Sequence, residues 1–507
     1  MSKANHHTLT ETTQKNVELG IARVWDILRD ASGNYTRNSD INQAAAIAFY
    51  AILSLIPFFL LTVVAASYFF GIHPHIQKDI VQTIKGIHPF FSEDIFTQLL
   101  QANKKRHLLG GVGIITLFWF SAMIFGALEK AFNIIFRVRT LRNFIGSKLL
   151  AFAMIPLGWI IGITSMGITY VAAAAAKQTL LTGGGLSYGY AFVSRYFLPY
   201  LLTVAFITLL YRIIPKVKVT LRGALGGAVI FSALLEAAKY FFTWYIKNYT
   251  HYDVIFGSME TVVLLVIWVF YVAIIFLFCA EIISSYERRD IILLEGAFLT
   301  LQSKASKTHE RLFRKFGSFY PQGSYLFREG DSGREMFYIL KGKTRIEKKA
   351  GQVSKVLAEV GSGSYLGEMA ALIDAPRTAS AIAVEDCHVA VISGDMFRDL
   401  LRESEGVSLF MLREFSYRII HTNAALEELT QAWIKFIVVF YFLKEWPIPE
   451  DRKILEELAA ISGKTTFEIA EVFNWLSREG ILDIHHDRVT GFRREQIWKL
   501  LDNRINN

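Results

Sequence analysis

The sequence contains little cysteine and little charge. Only two of its 507 residues are cysteines, Cys279 and Cys387, so a disulfide framework is excluded. Charged residues make up 20% of the chain, whereas a soluble globular protein carries about 25%. Hydrophobic residues reach 52%, which excludes a disordered chain and favours a membrane protein. The sequence also lacks a P-loop, a nucleophile elbow and Cys/His metal spacing, so neither an enzyme nor a metal site is predicted.

Six apolar runs are long enough to cross a membrane, which takes about 20 mostly apolar residues. They are Ala44–Phe70, Gly110–Phe136, Leu149–Ala176, Tyr190–Ile214, Leu221–Ile246 and Thr261–Ser284. Buried helices of a soluble core could imitate one such run but not six. Residues 1–16 are polar and the first run is too long for a signal peptide, so no signal peptide is expected. The sequence therefore predicts an all-α membrane bundle of six spans.

Lysine and arginine are concentrated in alternate loops between these runs. The segments before the first run, after the second, after the fourth and after the sixth are basic, whereas two of the intervening loops hold only Lys177 and Lys247. The long loop with Lys104, Lys105 and Arg106 is an exception and also carries acids. Because positive charge marks the cytoplasmic side, both termini are predicted in the cytoplasm. The amphipathic segment Val17–Arg29 is predicted to lie along the membrane surface.

Ionisable side chains within the apolar runs are candidates for function, because burying a charge in lipid costs at least a few kcal/mol. The candidates are Glu129, Glu236, Lys239 and Glu281. Glu236 and Lys239 stand three residues apart on one helix face, where they can neutralise each other. A buried structural pair and a part in transport are both open interpretations of these residues.

Four motifs resemble the YihY/BrkB family of bacterial inner-membrane proteins. The motifs are Ala44–Phe59, Arg222–Ala228, Glu236–Tyr245 and Phe256–Ile282. The resemblance covers roughly residues 17–295, with Glu260 and Cys279 as departures from the usual small residue and glycine. It implies a six-span protein of the bacterial inner membrane that transports a lipid or a small solute.

After Arg289 the composition changes to short alternating runs separated by glycine. These runs are Tyr325–Arg328, Glu335–Leu340, Thr344–Lys348, Lys355–Val360, Thr378–Val384 and His388–Ile392. This spacing predicts an antiparallel β-roll. Within it, the segment Gly361–Ala383 combines a short helix after Gly367-Glu368 with Arg377 before the next strand. Free N–H groups at a helix N-terminus and one guanidinium suit a phosphodiester.

Residues 319–400 resemble the cyclic nucleotide-binding domain, on the motifs Glu329–Asp331, Phe337–Gly342 and Gly367–Ala381. The resemblance implies that Glu368 binds the ribose 2′-hydroxyl, that Arg377 binds the cyclic phosphate, and that Thr378 contacts the phosphate or the purine. The implied ligand-binding residues are Gly367, Glu368, Met369, Arg377, Thr378 and Ala379. Cyclic AMP is preferred to cyclic GMP as the ligand, and a helix over 408–428 would close as a lid. A roll that has lost its ligand is the alternative.

Residues 431–507 resemble the winged helix-turn-helix of CRP-type regulators, with Thr466–Arg478 in the place of the recognition helix. This segment holds eleven Lys and Arg residues against twelve Asp and Glu residues, a net charge of −1. Phosphate neutralisation is a main source of DNA affinity, so a protein contact is favoured over DNA binding.

The predicted fold is therefore multi-domain, with an all-α membrane bundle, a β-roll and a small winged helix. The predicted domains are a cytoplasmic N-terminus (1–43), the six-span domain (44–286), a helical connector (287–316), the nucleotide-binding domain with its lid (317–428) and the winged helix (429–507).

The predicted function is transport of a lipid or small solute regulated by a cyclic nucleotide. A membrane-tethered transcription regulator and a cyclic nucleotide-gated channel are the alternatives, although no span carries a basic residue every third position. The predicted partners are the lipid bilayer, the nucleotide and further copies of the chain, with DNA not expected.

Overall fold

The structure is a computed structural model that describes residues 2–70, 111–160, 164, 197–249, 260–299, 305–350, 353–449, 452–485 and 488–505. The chain divides into two compact units, residues 1–400 and residues 401–507. The first unit contains a helical region followed by a β-rich region, and the second contains helices and a small hairpin.

The N-terminal region of the first unit is helical. Its helices are α1 (Ser2–Arg37), α2 (Asp40–Phe70), α3 (Gly111–Ser121), α4 (Met123–Ile135), α5 (Phe144–Ile160), α6 (Leu198–Ile213), α7 (Leu221–Tyr249) and α8 (Glu260–Glu287). Each of the six predicted runs overlaps at least one of these helices. Parts of the predicted runs and of the last family motif lie outside the described residues. They are residues 110, 161–163, 165–176 and 190–196 of the runs and residues 256–259 of the motif.

Three stretches of the described residues are long and apolar enough to cross a membrane: Ile115–Ile135, Leu221–Ile246 and Val262–Glu287. Three shorter apolar helices, Asp40–Leu55, Phe144–Ile160 and Tyr200–Ile213, overlap the other predicted runs. The prediction of an apolar helical region is confirmed, and the count of six spans stays a prediction.

Aromatic rings and small residues hold the helical region together. The rings of Tyr211 and Phe276 stack with centroids 4.8 Å apart, and the Tyr211 hydroxyl donates to the Phe276 carbonyl at 2.9 Å. Phe132 of α4 stacks on the same Phe276 ring at 5.5 Å. A Cβ at Gly227 of α7 would overlap the Ile283 side chain of α8. Glycine therefore allows these two helices to approach closely.

The β-rich region is an antiparallel roll of two four-stranded sheets. Its strands are β1 (Gly317–Tyr320), β2 (Tyr325–Phe327), β3 (Glu335–Lys341), β4 (Thr344–Ala350), β5 (Val353–Val360), β6 (Tyr365–Leu366), β7 (Ser380–Ala383) and β8 (Cys387–Ser393). The sheet orders are β1-β8-β3-β6 and β2-β7-β4-β5. Phe337, Ile339 and Val389 of the first sheet meet Leu326 and Ala381 of the second in one buried cluster. The predicted β-roll is confirmed, and β1 is an additional strand.

Four helices flank or interrupt the roll: α9 (Arg289–Leu299), α10 (Ala305–Phe316), α11 (Glu368–Ile373) and α12 (Gly394–Glu403). Arg311 of α10 forms an ion pair with Asp26 of α1 at 2.6 Å, and Lys315 of α10 pairs with Asp290 of α9. The helices before the roll are therefore tied to the helical region by charge.

The second unit begins with a helix of 41 residues, α13 (Glu405–Glu445), which contains the predicted lid and continues across the predicted boundary at residue 428. It is followed by α14 (Ile454–Ser462), α15 (Thr466–Arg478), β9 (Leu482–His485), β10 (Arg488–Phe492) and α16 (Arg494–Ile505). Gly463 ends α14 with φ of +67°. Thr465 and Glu468 form a capping box that starts α15.

Candidate functional site

The segment Gly367–Ala379 connects the two sheets of the roll. β6 ends at Leu366 in one sheet, α11 follows Gly367, and Arg377 lies shortly before β7 in the other sheet. The fold brings the two ends of the segment together, since Arg377 Nη1 donates to the Gly367 carbonyl at 3.1 Å. The sequence-predicted glycine and arginine are therefore neighbours in space.

Gly367 is required by its backbone and by its surroundings. Its φ is +76°, in the left-handed region that favours glycine. A Cβ at this position would collide with the guanidinium of Arg377 and lie 3.1 Å from the Glu335 carbonyl oxygen. Any larger residue would therefore displace the arginine.

Arg377 is a buried cation held mainly by backbone carbonyls. Its side chain is only 2% exposed. Besides the bond to Gly367, Nη1 donates to the Glu335 carbonyl at 2.8 Å, and Nη2 lies 3.3 Å from the Glu335 carboxylate. Nε is buried without a hydrogen-bond partner in the described structure. A buried cation with spare donor capacity is suited to bind an anion.

Two aromatic rings pack against the guanidinium of Arg377. Its central carbon lies 4.5 Å from the ring centroid of Phe327 and 5.5 Å from that of Phe337. Burial lowers the pKa of Arg377 below its ordinary value, while the carboxylates of Glu335, Asp331 and Glu368 oppose this shift. Arginine nevertheless keeps its charge because its ordinary pKa is above about 12. The two ring faces thus contribute cation–π contacts to the buried guanidinium.

The other predicted ligand-binding residues differ in exposure. Glu368 is 5% exposed and begins α11, and Ala379 is 8% exposed. Met369 is 46% exposed, and Thr378 is also exposed. Glu368 and Arg377 thus form the buried floor of the site, while the Met369 and Thr378 side chains remain accessible beside it.

Glu335 is a site residue that the sequence interpretation missed. It is the first residue of β3, its carboxylate is the ion-pair partner of Arg377, and its side chain is half exposed. A single acid at a strand end carries no sequence signal, because its partner is 42 residues away. An incoming phosphate would compete with this carboxylate for the guanidinium.

Glu129, the first candidate in the helical region, is fully engaged by neighbours. It is 5% exposed and accepts hydrogen bonds from Arg142 Nη1 at 3.3 Å and from the Ser147 hydroxyl. Arg142 also donates to the carbonyl of Ile214 at 2.8 Å, just after α6. Glu129 therefore ties α4 to α5 and to the end of α6.

Glu236 and Lys239 form the predicted ion pair on α7. The Lys239 Nζ to Glu236 Oε1 distance is 2.7 Å. The side chains are 53% and 50% exposed, so they do not belong to the buried core of the helical region. Whether this pair is structural or takes part in transport stays a prediction.

Glu281 is the most enclosed of the helical-region candidates, with no exposed surface. Its Oε1 accepts a hydrogen bond of 2.6 Å from the Asn38 side chain, and its Oε2 is buried without a partner in the described structure. Asp40, at the start of α2, is equally buried and interacts with the Glu281 carboxyl. Sequence inspection missed Asn38 and Asp40, which precede the first apolar run.

The chain joins an apolar helical region to an antiparallel roll in which a buried arginine lies beside a left-handed glycine, and each of these two parts matches a protein family. The family described as virulence factor BrkB matches residues 31–295, and the cyclic nucleotide-binding domain matches residues 318–404. The first match covers more than half of the 507 residues, and the chain belongs to this BrkB family. The resemblances to the YihY/BrkB family and to the cyclic nucleotide-binding domain are thereby confirmed. Neither family is described as an enzyme.

Relatives share the helical half of the chain. A UPF0761 membrane protein of Histophilus somni (strain 129Pt) is 28% identical over 237 residues, covering 46% of this chain and 81% of that protein. A UPF0761 membrane protein of Pseudomonas aeruginosa (strain LESB58) is 31% identical over 250 residues, covering 48% of this chain and 58% of that protein.

Solved structures resemble the other half. The Thermus thermophilus catabolite activator protein is 23% identical, covers 41% of this chain and 99% of its own, and gives a TM-score of 0.33. The regulatory domain of Toxoplasma gondii PKA, crystallised with cAMP, is 21% identical, covers 20% of this chain and 46% of its own, and gives a TM-score of 0.17. Scores this low carry no inference. Among the described residues, no group of three or more His, Cys, Asp or Glu side chains is placed to hold a metal ion.

Proposed function

We propose that this protein transports a lipid or a small solute across the bacterial inner membrane and that cyclic nucleotide binding in the cytoplasm regulates the transport. The observation that carries the proposal is a contact between the roll and the helix that follows α8. Only Arg288 separates α8 from α9, so a displacement of the end of α9 is passed directly to an apolar helix. The nucleotide site and the membrane region are then mechanically connected.

The contact consists of one hydrogen bond and two ring contacts at the end of α9. The Tyr338 hydroxyl of β3 donates to the Ala297 carbonyl at 3.1 Å. The Phe298 ring lies 5.3 Å from the Tyr338 ring and 5.8 Å from the Tyr365 ring, between centroids. Tyr365 belongs to β6, two residues before Gly367. A change in the segment Gly367–Ala379, which we call the phosphate segment, would therefore reach α9 through the single strand β6.

An apolar cavity supports the lipid as substrate class. It has a volume of about 480 Å³ and lies between α7 and α8. Its lining consists of Ala238, Phe241, Phe242, Tyr245, Leu264, Ile267, Trp268, Phe270 and Tyr271. Such a lining accepts acyl chains and offers little to a charged solute. The half-exposed Glu236–Lys239 pair on α7 is the nearest candidate for a polar headgroup.

Reconstitution into liposomes tests the proposal. We expect the full-length protein to scramble a fluorescent lipid or release a small solute, at a rate that cyclic AMP changes. Phe298→Ala should retain nucleotide binding and lose this response, because the ring link to β3 and β6 is removed. Tyr325→Ala is the matched control, since Tyr325 is a half-exposed ring of the other sheet. Transport that never responds to a cyclic nucleotide would contradict the regulatory half of the proposal.

The ligand that we propose is cyclic AMP rather than cyclic GMP, held by Arg377 and Glu368. The accessible Thr378 side chain is the position from which the purine would be contacted. Competition calorimetry on the full-length protein should give the tighter dissociation constant for cyclic AMP. A tighter constant for cyclic GMP would reverse this assignment without affecting the phosphate site.

We also propose that the chain associates through α13. Leu412, Ile419, Leu426, Trp433 and Phe440 repeat every seven residues along this helix and are each 57–61% exposed. Asn423 falls within the same stripe, at a position where a polar residue specifies register in coiled coils. Asn423→Cys should therefore give a disulfide-linked dimer in membranes, and Glu428→Cys, away from the stripe, should not. A monomer with both variants would refute the association.

A membrane-tethered transcription regulator is the second candidate, favoured by the helix–turn–helix and hairpin formed by α14, α15, β9 and β10. This order of elements supports the resemblance to a winged helix. Glu468, within the first turn of α15, is engaged in the capping box rather than placed for a DNA contact. We expect the full-length protein to select no reproducible half-site from random duplex oligonucleotides. Selection of such a site would make Thr466–Arg478 a recognition helix.

The orientation with both termini in the cytoplasm is proposed from the basic loops. An exposed apolar stripe on α1 supports its place on the membrane surface. The stripe consists of Val17, Ile21, Val24, Trp25 and Leu28. Trp25→Cys labelled with a polarity-sensitive dye should report a lipid environment on the cytoplasmic side, and a water-like signal would contradict this placement.

A further inference from the structure

Two carboxyl groups face each other where α2 begins against α8. Asp40 is the first residue of α2 and Glu281 lies six residues before the end of α8, and these helices pack together. Both residues have no exposed surface. Asn38, two residues before Asp40, donates to the Glu281 carboxylate at 2.6 Å, which brings the start of α2 against Glu281, and the two acids influence each other electrostatically.

The hydrogen bonding of this pair is incomplete. Asn38 donates to one oxygen of Glu281, but the other oxygen and both oxygens of Asp40 are buried without a partner in the described structure. An unpaired buried polar group costs about 1–3 kcal/mol, and more when it is charged. Two adjacent carboxylates, both ionised and both out of water, also repel each other. A bound positive charge would relieve both penalties.

The charged neighbours supply that charge only in part, through an electrostatic interaction of Arg288 with Glu281. On α1, Tyr35 has a buried hydroxyl without a hydrogen-bond partner, and Asp30 adds a further negative charge. After α8, Arg288 lies 3.6 Å from the Asp30 carboxylate, and Ser285 donates to the same carboxylate. After α4, Arg137 donates to Asn34. Arg137 donates to α1, and Arg288 is shared between Asp30 and Glu281, so its one charge faces the three carboxyl groups of Asp30, Asp40 and Glu281.

We propose that Asp40 and Glu281 bind one exchangeable proton between them. A proton on Glu281 Oε2 would let this oxygen donate to Asp40, while Oε1 continues to accept from Asn38. Asp40, at the N-terminus of α2, remains the ionised partner, because a helix N-terminus favours negative charge. A metal ion fits less well, since Mg²⁺ and Ca²⁺ take about six to eight oxygen ligands. The proposal stands apart from transport and nucleotide regulation.

Infrared spectroscopy of the full-length protein in lipid nanodiscs tests this assignment. At neutral pH we expect a carbonyl band of a protonated carboxylic acid that shifts in D₂O. Glu281→Gln and Asp40→Asn should each abolish this band, because an amide N–H then donates to a remaining carboxylate. Glu129→Gln is the control, since Glu129 is buried beside an arginine, and it should keep the band. A wild-type protein without the band, or a band that survives both amide variants, would overturn the proposal.

The melting temperature gives a second readout. At neutral pH the folded pair holds a proton, whereas the same carboxyl groups are ionised in the unfolded chain. The free energy of unfolding should therefore fall as the pH rises, until the folded pair also ionises. This fall should be present in the wild type and in Glu129→Gln and smaller in Glu281→Gln. If sodium, magnesium or calcium chloride raises the melting temperature of the wild type but not of Glu281→Gln, at constant ionic strength, the site binds a metal ion and the proton assignment is wrong.

Discussion

Replacing Arg377 with leucine removes the cation of the proposed phosphate site. Arg377 is the only cation between Gly361 and Ala383, so no other residue of this segment replaces it. A charge-assisted hydrogen bond contributes about 1.5–3 kcal/mol, and a phosphate left unpaired in a half-buried site adds to the loss. Since about 1.4 kcal/mol corresponds to a factor of ten, we expect cyclic AMP to bind roughly tenfold to a thousandfold more weakly. Isothermal titration calorimetry on the full-length protein in nanodiscs measures this change.

The chain offers a matched control for this variant. Arg398 contacts the other end of α11, where it donates to the Ala371 carbonyl at 2.6 Å and lies 3.5 Å from Asp374, and its shorter ion pair is with Asp395 at 2.6 Å. Arg398→Leu should therefore bind cyclic AMP like the wild type. Circular dichroism verifies that both variants keep their folded strands. Wild-type affinity in Arg377→Leu, or an equal loss in Arg398→Leu, would refute the reasoning.

Further expectations concern stability. Glu129→Gln should lower the melting temperature, because breaking a buried ion pair costs about 3–5 kcal/mol; an unchanged melting temperature would contradict the burial of Glu129. Thr465→Ala should destabilise the second unit by about 0.5–2 kcal/mol in denaturant unfolding, because it removes the cap of α15. The Thr465 N–H holds the pKa of Glu468 below its ordinary value, so this carboxylate stabilises the fold above the ordinary glutamate pKa. Its contribution is lost as the pH falls through the lowered value, and acid titrations of Glu468→Gln should show a smaller loss than the wild type.

Much of this architecture is readable from local patterns. Apolar runs of about 20 residues predict membrane helices because lipid leaves backbone groups no other partner. Short runs in which apolar and polar residues alternate, separated by glycine, predict the strands of the roll. The run Glu335–Leu340, for example, predicts β3, which the structure has at Glu335–Lys341. The segment from Gly367 to Arg377 is readable because its glycine and its arginine are close in sequence.

The partners of these residues depend on tertiary packing. The sequence by itself determined that a cation stands at Arg377, but only the fold decided that Glu335, from another strand, neutralises it and that Phe327 and Phe337 lie beneath it. Glu236 and Glu281 look alike in sequence, each an acid in an apolar run. The structure leaves one half exposed beside a lysine and buries the other against Asp40, 241 positions away. Helical spacing indicates which residues share a face, whereas burial and charge pairing depend on which helix that face meets.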